Sequence, residues 1–404
     1  MIERLLGAPS SSLRPLVPDG APPRCDRLWP AARAGGWLAR ASKREATGTS
    51  YWGLLAPAGR WPKPLRRLYD DDLCLWLPEI EALAWRLTDD PLLGGLDPTA
   101  PTAFALANSK PRRHNSQGRV EGYKPLRRVV TRFDDARGRP VAYAKHLRRR
   151  DGQRVAEHHR LLARWSREHR SFRLPELAMP ADADVLLLAP ATGCSLASIV
   201  DSGDRAAAAR AATRVGRAIA GIHQCPAELR ELHDRQAEID TLSRWLAIGE
   251  QASDFGAELE AASATLNESS RALPQAPLVL SHRDLHDRQL LIADEFVTIL
   301  DIDTLSLAEP ELDLGNLLAH FDLLALSTGI DAWRQLGVPF VDGYQRAGGH
   351  QVDGDRLLWY RCATLLRLAC VHAGRIDTRG QVENLLETAR RFMATLGTAS
   401  RGVL

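Results

Sequence analysis

The chain has 404 residues, 45% of them hydrophobic and 25% charged, with a formal net charge of +3. That length accommodates one large core or two to three smaller ones, and the near-balanced charge gives no electrostatic case for nucleic acid as a partner. Arginine runs such as Arg148, Arg149 and Arg150 read as solvated surface. The six cysteines (Cys25, Cys74, Cys194, Cys225, Cys362 and Cys370) are scattered, with no C-x-x-C pair. This spacing argues against a zinc site or a disulfide framework and fits a reducing compartment. No stretch reaches the roughly 18 apolar residues of a membrane span, and the N-terminal segment lacks the apolar core of a signal peptide. A soluble, cytoplasmic protein with no membrane partner is expected.

In chain order, residues 1 to about 110 are rich in Pro, Gly and Trp. Leu77 to Leu87 reads as an amphipathic helix closed by Asp89-Asp90-Pro91. The polar, breaker-rich stretch 108–125 reads as a loop or boundary. Two strands joined by a turn follow: Val129, Thr131 and Phe133 alternate, Asp134 to Gly138 turns, and Val141, Tyr143 and Lys145 alternate again. Residues 152–170 have helical spacing, with Val155, His158, Leu162 and Trp165 on one face. The apolar run in 183–193 predicts a buried strand. From Ser195 onward helices dominate, at 204–225, around 227–267, 314–326, 331–346, 355–374 and 378–395. Basic residues are almost all Arg. Lysine stands only at Lys43, Lys63, Lys110, Lys124 and Lys145. A position that keeps Lys against this bias points to a need for a compact ammonium rather than a planar guanidinium.

The chemistry concentrates in "LVLSHRDLHDRQLLIADEFVTILDIDTLSLAEPELDLG", from Leu278 to Gly315. Two short β-like runs flank a polar loop, so Asp284, Gln289, Asp301 and Asp303 converge at strand ends. A carboxylate, an amide five residues on, and a further carboxylate after one more strand suit magnesium–nucleotide chemistry. Mg²⁺ prefers oxygen ligands and takes few from protein, and a separate carboxylate can orient the proton of an attacking hydroxyl.

This stretch resembles the aminoglycoside phosphotransferase and small-molecule kinase family, with its pattern H-G-D-x-x-x-x-N followed by I-D and a later D-L. The resemblance implies Asp284 as catalytic base, Gln289 and Asp301 as magnesium ligands, and His282, Arg283, Asp303 and Asp313 as supports. Upstream, "AYAKHL" implies Lys145 as the lysine of the α- and β-phosphates and Glu157 as its ion-pair partner. "LLLAPATG" resembles the adenine-receiving hinge, with Leu188, Ala189 and Ala191. "GRAIAGIH" (216–223) resembles the helix that precedes the catalytic loop. The resemblance implies an α+β, two-lobed, protein-kinase-like fold. Its parts are a small β-rich lobe and hinge at 116–192 and a helical lobe at 193–404, behind an extension at 1–115.

Four departures stand out. Gln289 replaces Asn, as in the maltokinase-like branch that this chain also resembles. Asp303 stands where a Gly is usual, as a second metal ligand or a turn residue. No G-x-G-x-x-G precedes Lys145, which leaves backbone near Gly122, or Lys124, Arg127 and Arg128, to cover phosphates or to face solvent. Arg283 completes His-Arg-Asp, yet the short span from Asp301 to Asp313 leaves no room for an activation loop, so Arg283 is expected to pair with a nearby carboxylate. The resulting expectation is an ATP- or GTP- and Mg²⁺-dependent transfer of a γ-phosphoryl group to the hydroxyl of a sugar, amino sugar or aminoglycoside-like molecule. Glu309, Glu311 and Asp322 are candidates for the acceptor side, or else for helix caps and surface. The alternative is an inactive, nucleotide-binding regulator.

Overall fold

The computed structural model describes residues 10–16, 21–31, 37–45, 48–56, 73–93, 98–99, 118–177, 185–293, 296–375, 378 and 380–397. The extension forms a five-stranded antiparallel sheet of β1 (Arg24–Pro30), β2 (Trp37–Glu45), β3 (Gly48–Ala56), β4 (Cys74–Leu77) and β5 (Ala82–Arg86), in the order β1-β2-β3-β5-β4. The helix expected from Leu77 to Leu87 is therefore two strands and a turn. Glu81 adopts φ 49°, which no helix accommodates, and Ala82 to Trp85 are all buried. A short, wholly apolar run covered on both faces carries no periodicity to separate strand from helix. Gly53 lies opposite Trp85 in this sheet, and a Cβ there would meet the indole at 2.4 Å.

The small lobe is a four-stranded antiparallel sheet of β6 (Arg119–Lys124), β7 (Arg128–Asp134), β8 (Pro140–Leu147) and β9 (Val185–Leu188). Stretch 108–125, read as a loop, thus contains an edge strand at its described end. Its outward residues Arg119 and Glu121 pair with each other, which hides the strand signal behind a polar face. Helix α1 (Arg149–His169) crosses this sheet, packing Val155 and Ala156 on Leu147 and Leu186.

The large lobe is helical. It comprises α2 (Leu196–Asp201), α3 (Arg205–His223), α4 (Arg235–Ala252), α5 (Gly256–Ser269), α6 (Glu311–Thr328), α7 (Val338–Arg346), α8 (Gly354–Ala373) and α9 (Gln381–Met393). Three of these start on an aspartate that accepts an amide of the first turn: Asp204, Asp234 and Asp353. Between α5 and α6 lie short strands that shape the cleft. Of these, β12 (Leu290–Ala293) pairs β13 (Phe296–Ile299) and also β10 (Cys194–Ser195), which precedes α2. β11 (Val279–Ser281) pairs β14 (Ser306–Ala308). The result is the α+β, protein-kinase-like arrangement that the resemblance implied, a β-rich lobe over a helical one.

The extension touches both lobes. Leu28, Ala39 and Leu54 share one hydrophobic core with Leu246, Ile248 and Trp359 of the large lobe. Toward the small lobe, the buried Asp90 carboxylate accepts the Tyr123 hydroxyl at 2.7 Å and the Leu126 amide at 2.9 Å. Leu126 sits in the turn where a glycine-rich loop was absent from the sequence, and takes φ 59° there.

Candidate active site

The candidate catalytic loop leaves β11 at Ser281 and is clamped from behind. Asp313, fully buried at the start of α6, accepts the backbone amides of His282 and Arg283, each at 2.7 Å. Its Oδ2 also lies 3.2 Å from His223 Nε2, whose other ring nitrogen meets the Tyr344 hydroxyl at 2.8 Å. Burial alone would raise the Asp313 carboxyl, but His223 and the amides outweigh it and hold it below its ordinary value. The two amide bonds fix Arg283 at φ 72°, a left-handed conformation costly for a side chain of this size. His282 Nε2 donates to the Leu300 carbonyl at 2.9 Å, Thr304 Oγ1 donates to His282 at 2.8 Å, and Asn316 donates to Leu285 at 2.9 Å. Between these fixed points Asp284 projects outward with its side chain 51% exposed, and Arg367 Nη1 is 3.9 Å away.

Opposite this loop, β8 delivers Lys145, only 6% exposed, to two carboxylates. Its Nζ lies 2.7 Å from Asp301 and 2.5 Å from Asp303. Arg128, from β7, adds a second cation. Its Nη1 lies 2.8 and 2.7 Å from the two oxygens of Asp301 and 3.2 Å from Asp303. Burial would raise the Asp301 carboxyl, yet Lys145 and then Arg128 hold it well below the carboxylate range. For Arg128, burial opposes charge, but the two aspartates win and raise it. Asp301 itself takes φ 61° at the end of β13, a turn that brings its carboxylate back toward β8. Asp303, within the single turn Ile302–Thr304, shares both cations with Asp301.

Gln289 lies buried beside this cluster, and its amide oxygen has no hydrogen-bond partner. An orphaned buried carbonyl oxygen is costly and is the kind of donor that a hard cation takes. With Asp301 it makes an oxygen-only set, so these residues fit Mg²⁺ with the remaining ligands supplied by phosphates. Among the described residues no group of three or more His, Cys, Asp and Glu side chains forms a metal cage.

Several expectations need correction. Glu157 is exposed and does not pair with Lys145, whose carboxylates come from Asp301 and Asp303. The inward face of α1 is Val155, Ala156, His158, His159 and Leu162, and 157 falls on the solvent side of that stripe. The contact that α1 makes with the cluster is Arg154, donating to the Asp303 carbonyl at 3.1 Å. Of the hinge residues, Leu188 pairs with Tyr143 across the sheet, and Ala189 already donates its amide to Glu176 at 2.8 Å. Ala191 lies partly buried in the link to β10. Arg283 makes no carboxylate ion pair within 4.0 Å among the described residues, and its Nη1 reaches the Thr304 carbonyl at 3.4 Å.

The acids offered for the acceptor each pair internally, Glu311 through Oε1 while its buried Oε2 has no hydrogen-bond partner. Glu309 accepts from Tyr360 at 2.9 Å and faces Arg235 at 3.2 Å, Glu311 meets Arg356 at 2.9 Å, and Asp322 meets Arg361 at 2.7 Å. Arg154, His223, Asn316 and Arg367 escaped the sequence reading as site residues. They come from four separate helices, and no linear spacing ties them to the loop they touch.

Comparison with known proteins follows this geometry. No curated protein matches the chain. Among solved structures, a choline/ethanolamine kinase family protein from Mesorhizobium loti overlaps 74% of this chain and 99% of its own, at 17% identity and a TM-score of 0.48. A macrolide 2'-phosphotransferase from Brachybacterium faecium overlaps 72% and 98% at 17% identity and 0.45. An aminoglycoside-3'-phosphotransferase of type VIII overlaps 66% and 98% at 20% identity and 0.45. The sequence model of the phosphotransferase enzyme family matches residues 147–360, more than half of the chain, including the loop after β11 and its clamp. The chain belongs to the phosphotransferase enzyme family.

Proposed function

We propose that the protein transfers the γ-phosphoryl group of ATP or GTP to a hydroxyl of a small molecule, with Asp284 as the base. The observation that carries this reading is the clamp: Asp313 holds the two amides that lead into Asp284, at 2.7 Å each, and leaves that carboxylate outward with Arg367 Nη1 3.9 Å away. Asp284 accepts the acceptor's proton as its oxygen attacks phosphorus in line, and the bond to the nucleoside diphosphate breaks. Lys145, freed in part from Asp301 and Asp303, neutralises phosphate charge as it redistributes. Gln289 and Asp301 would hold Mg²⁺, which when bound offsets the charge of the nucleotide's phosphates. His282, Arg283 and Asp313 position the loop.

The test is transfer of labelled γ-phosphate from ATP, and in parallel GTP, to pooled sugars, amino sugars, aminoglycosides, amino alcohols and hydroxy acids. Asp284→Asn should lower kcat by about 10²–10⁴-fold with little change in nucleotide affinity. Full activity in that variant would refute the assignment of the base. A second reading, a nucleotide-binding regulator without turnover, is favoured by one observation: Arg128 and Lys145 together occupy both oxygens of Asp301. Nucleotide binding with no label in any pool would select it.

A further inference from the structure

Where the extension meets the end of α8, cations gather that have no carboxylate partner among the described residues. β1 of the extension runs against the C-terminal end of α8, where Arg27 and Arg375 face each other in an antiparallel bridge. The Leu28 amide fixes this contact by donating to the Gly374 carbonyl at 3.1 Å. The Nε atoms of both arginines are buried without a hydrogen-bond partner. Asp26, the acid next in sequence to Arg27, is already taken by Arg40 at 2.8 Å and by Ser42 at 2.5 Å. Lys124, at the end of β6, stands 5.7 Å from the Trp29 ring, and Arg27 lies over the same ring at 5.1 Å. Among the described residues, none of Arg27, Lys124 and Arg375 has a carboxylate within ion-pairing distance.

Cations gathered without a counter-charge are an electrostatically unfavourable arrangement. Partly buried like charges repel more strongly than they would in water. Burial first, then the charges of Arg375 and Arg40, pull Arg27 down to about 9. Burial and then Arg127 and Arg128 push Lys124 well below its usual value, opposed by Asp284. Arg27 is pulled down in part by Arg375, and Lys124 feels both the repulsion of Arg27 and the opposing charge of Asp284. An anion placed among them would relieve the repulsion and satisfy the unpaired N–H groups. The acids that would receive an amine, Glu309, Glu311 and Asp322, each pair internally.

We propose that the acceptor is an acid: a hydroxyl-bearing carboxylate or phosphate ester whose anionic group is received by Arg27 and Arg375, with Lys124 alongside, while its hydroxyl meets Asp284. This deepens the preceding reading and rests on Asp284 marking the acceptor side. It also gives the extension a direct part in the site, since Arg27 comes from β1.

The test titrates the protein, saturated with Mg²⁺ and AMP-PNP, with D-glucuronate, glycerol 3-phosphate, D-glucose and D-glucosamine, followed by ligand-observed NMR. The acidic probes should bind at least about tenfold more tightly than glucose or glucosamine. The Arg27→Gln/Arg375→Gln double variant should lose that preference and keep its AMP-PNP Kd within about twofold. Glucuronate against glycerol 3-phosphate separates a carboxylate site from a phosphate one. Equal binding of all four probes, unchanged acid binding in the variant, or a variant whose AMP-PNP affinity falls instead would each overturn the proposal, the last by assigning these cations to the nucleotide. Because the substitutions remove repulsion, the unliganded variant should melt no lower than wild type. If the double variant does not fold, Arg375→Gln alone is read by the same criteria. Failure of the kinase reading is separate: it appears as no label transfer to any acceptor.

Discussion

The four-charge cluster of Lys145, Arg128, Asp301 and Asp303 sets how the site responds to pH. Asp301 has a folded-state value well below its unfolded one, so its contribution is complete above the ordinary carboxylate value of about 4. It is lost as pH falls through the depressed folded value. Arg128→Gln removes one of the two cations that cause the depression. The variant should lose about 1–2 kcal/mol at neutral pH, discounted because Arg128 is partly exposed. The acid-induced loss contributed by Asp301 should also be smaller, and complete at a higher pH, than in wild type. Urea unfolding at steps between neutral pH and pH ~3 measures both effects. An unshifted acid limb would mean that Lys145 alone holds Asp301 down.

Helix α3 carries His223 to Asp313, and its angle depends on two glycines. A Cβ on Gly216 would lie 2.1 Å from the Phe340 carbonyl of α7, and one on Gly343 of α7 would lie 2.2 Å from the Thr213 carbonyl of α3. The two backbones touch, and α7 also bears Tyr344, the hydroxyl partner of His223. Gly216→Ala should therefore cost about 1–3 kcal/mol despite alanine's better helix propensity. It should also lower kcat, because separating the helices loosens the His223–Asp313 clamp. Thermal melts and steady-state kinetics check this pair of outcomes, and a stability loss with unchanged kcat would uncouple α7 from the loop. A comparable join is Asp90, which accepts Trp85, Leu92, Tyr123 and Leu126. Asp90→Ala strands these donors and should destabilise by about 2–4 kcal/mol, read as a lower urea midpoint, while raising the KM for nucleotide through the freed turn at Leu126.

At the scale of the molecule, the extension behaves as part of the fold. Its sheet contributes Leu28, Ala39, Ala41 and Leu54 to the same core as α4, α5, α8 and α9. Removing residues 1–93 would expose that face of the large lobe and delete Asp90 and Arg27 together. The truncated chain should unfold at a markedly lower temperature or aggregate, and calorimetry with light scattering would show it. An unchanged melting temperature would mean that the two lobes are self-sufficient.

The sequence by itself determined the elements whose signal is local. The hairpin of β7 and β8 shows in alternation around a turn, and helices α3 and α8 show in their periodic apolar faces. His282, Asp284, Gln289, Asp301 and Asp313 share one stretch, where short strands leave little freedom of order. Only the tertiary structure decided which charges meet. Glu157 was the natural partner for Lys145 by analogy, but the rotation of α1 turns it to solvent and leaves Asp303 in its place. Leu77 to Arg86 was ambiguous because a run buried on both faces has no period to read. Arg27 and Arg375 lie at opposite ends of the chain, and the interaction of charges depends on distance in space, which a linear pattern does not encode.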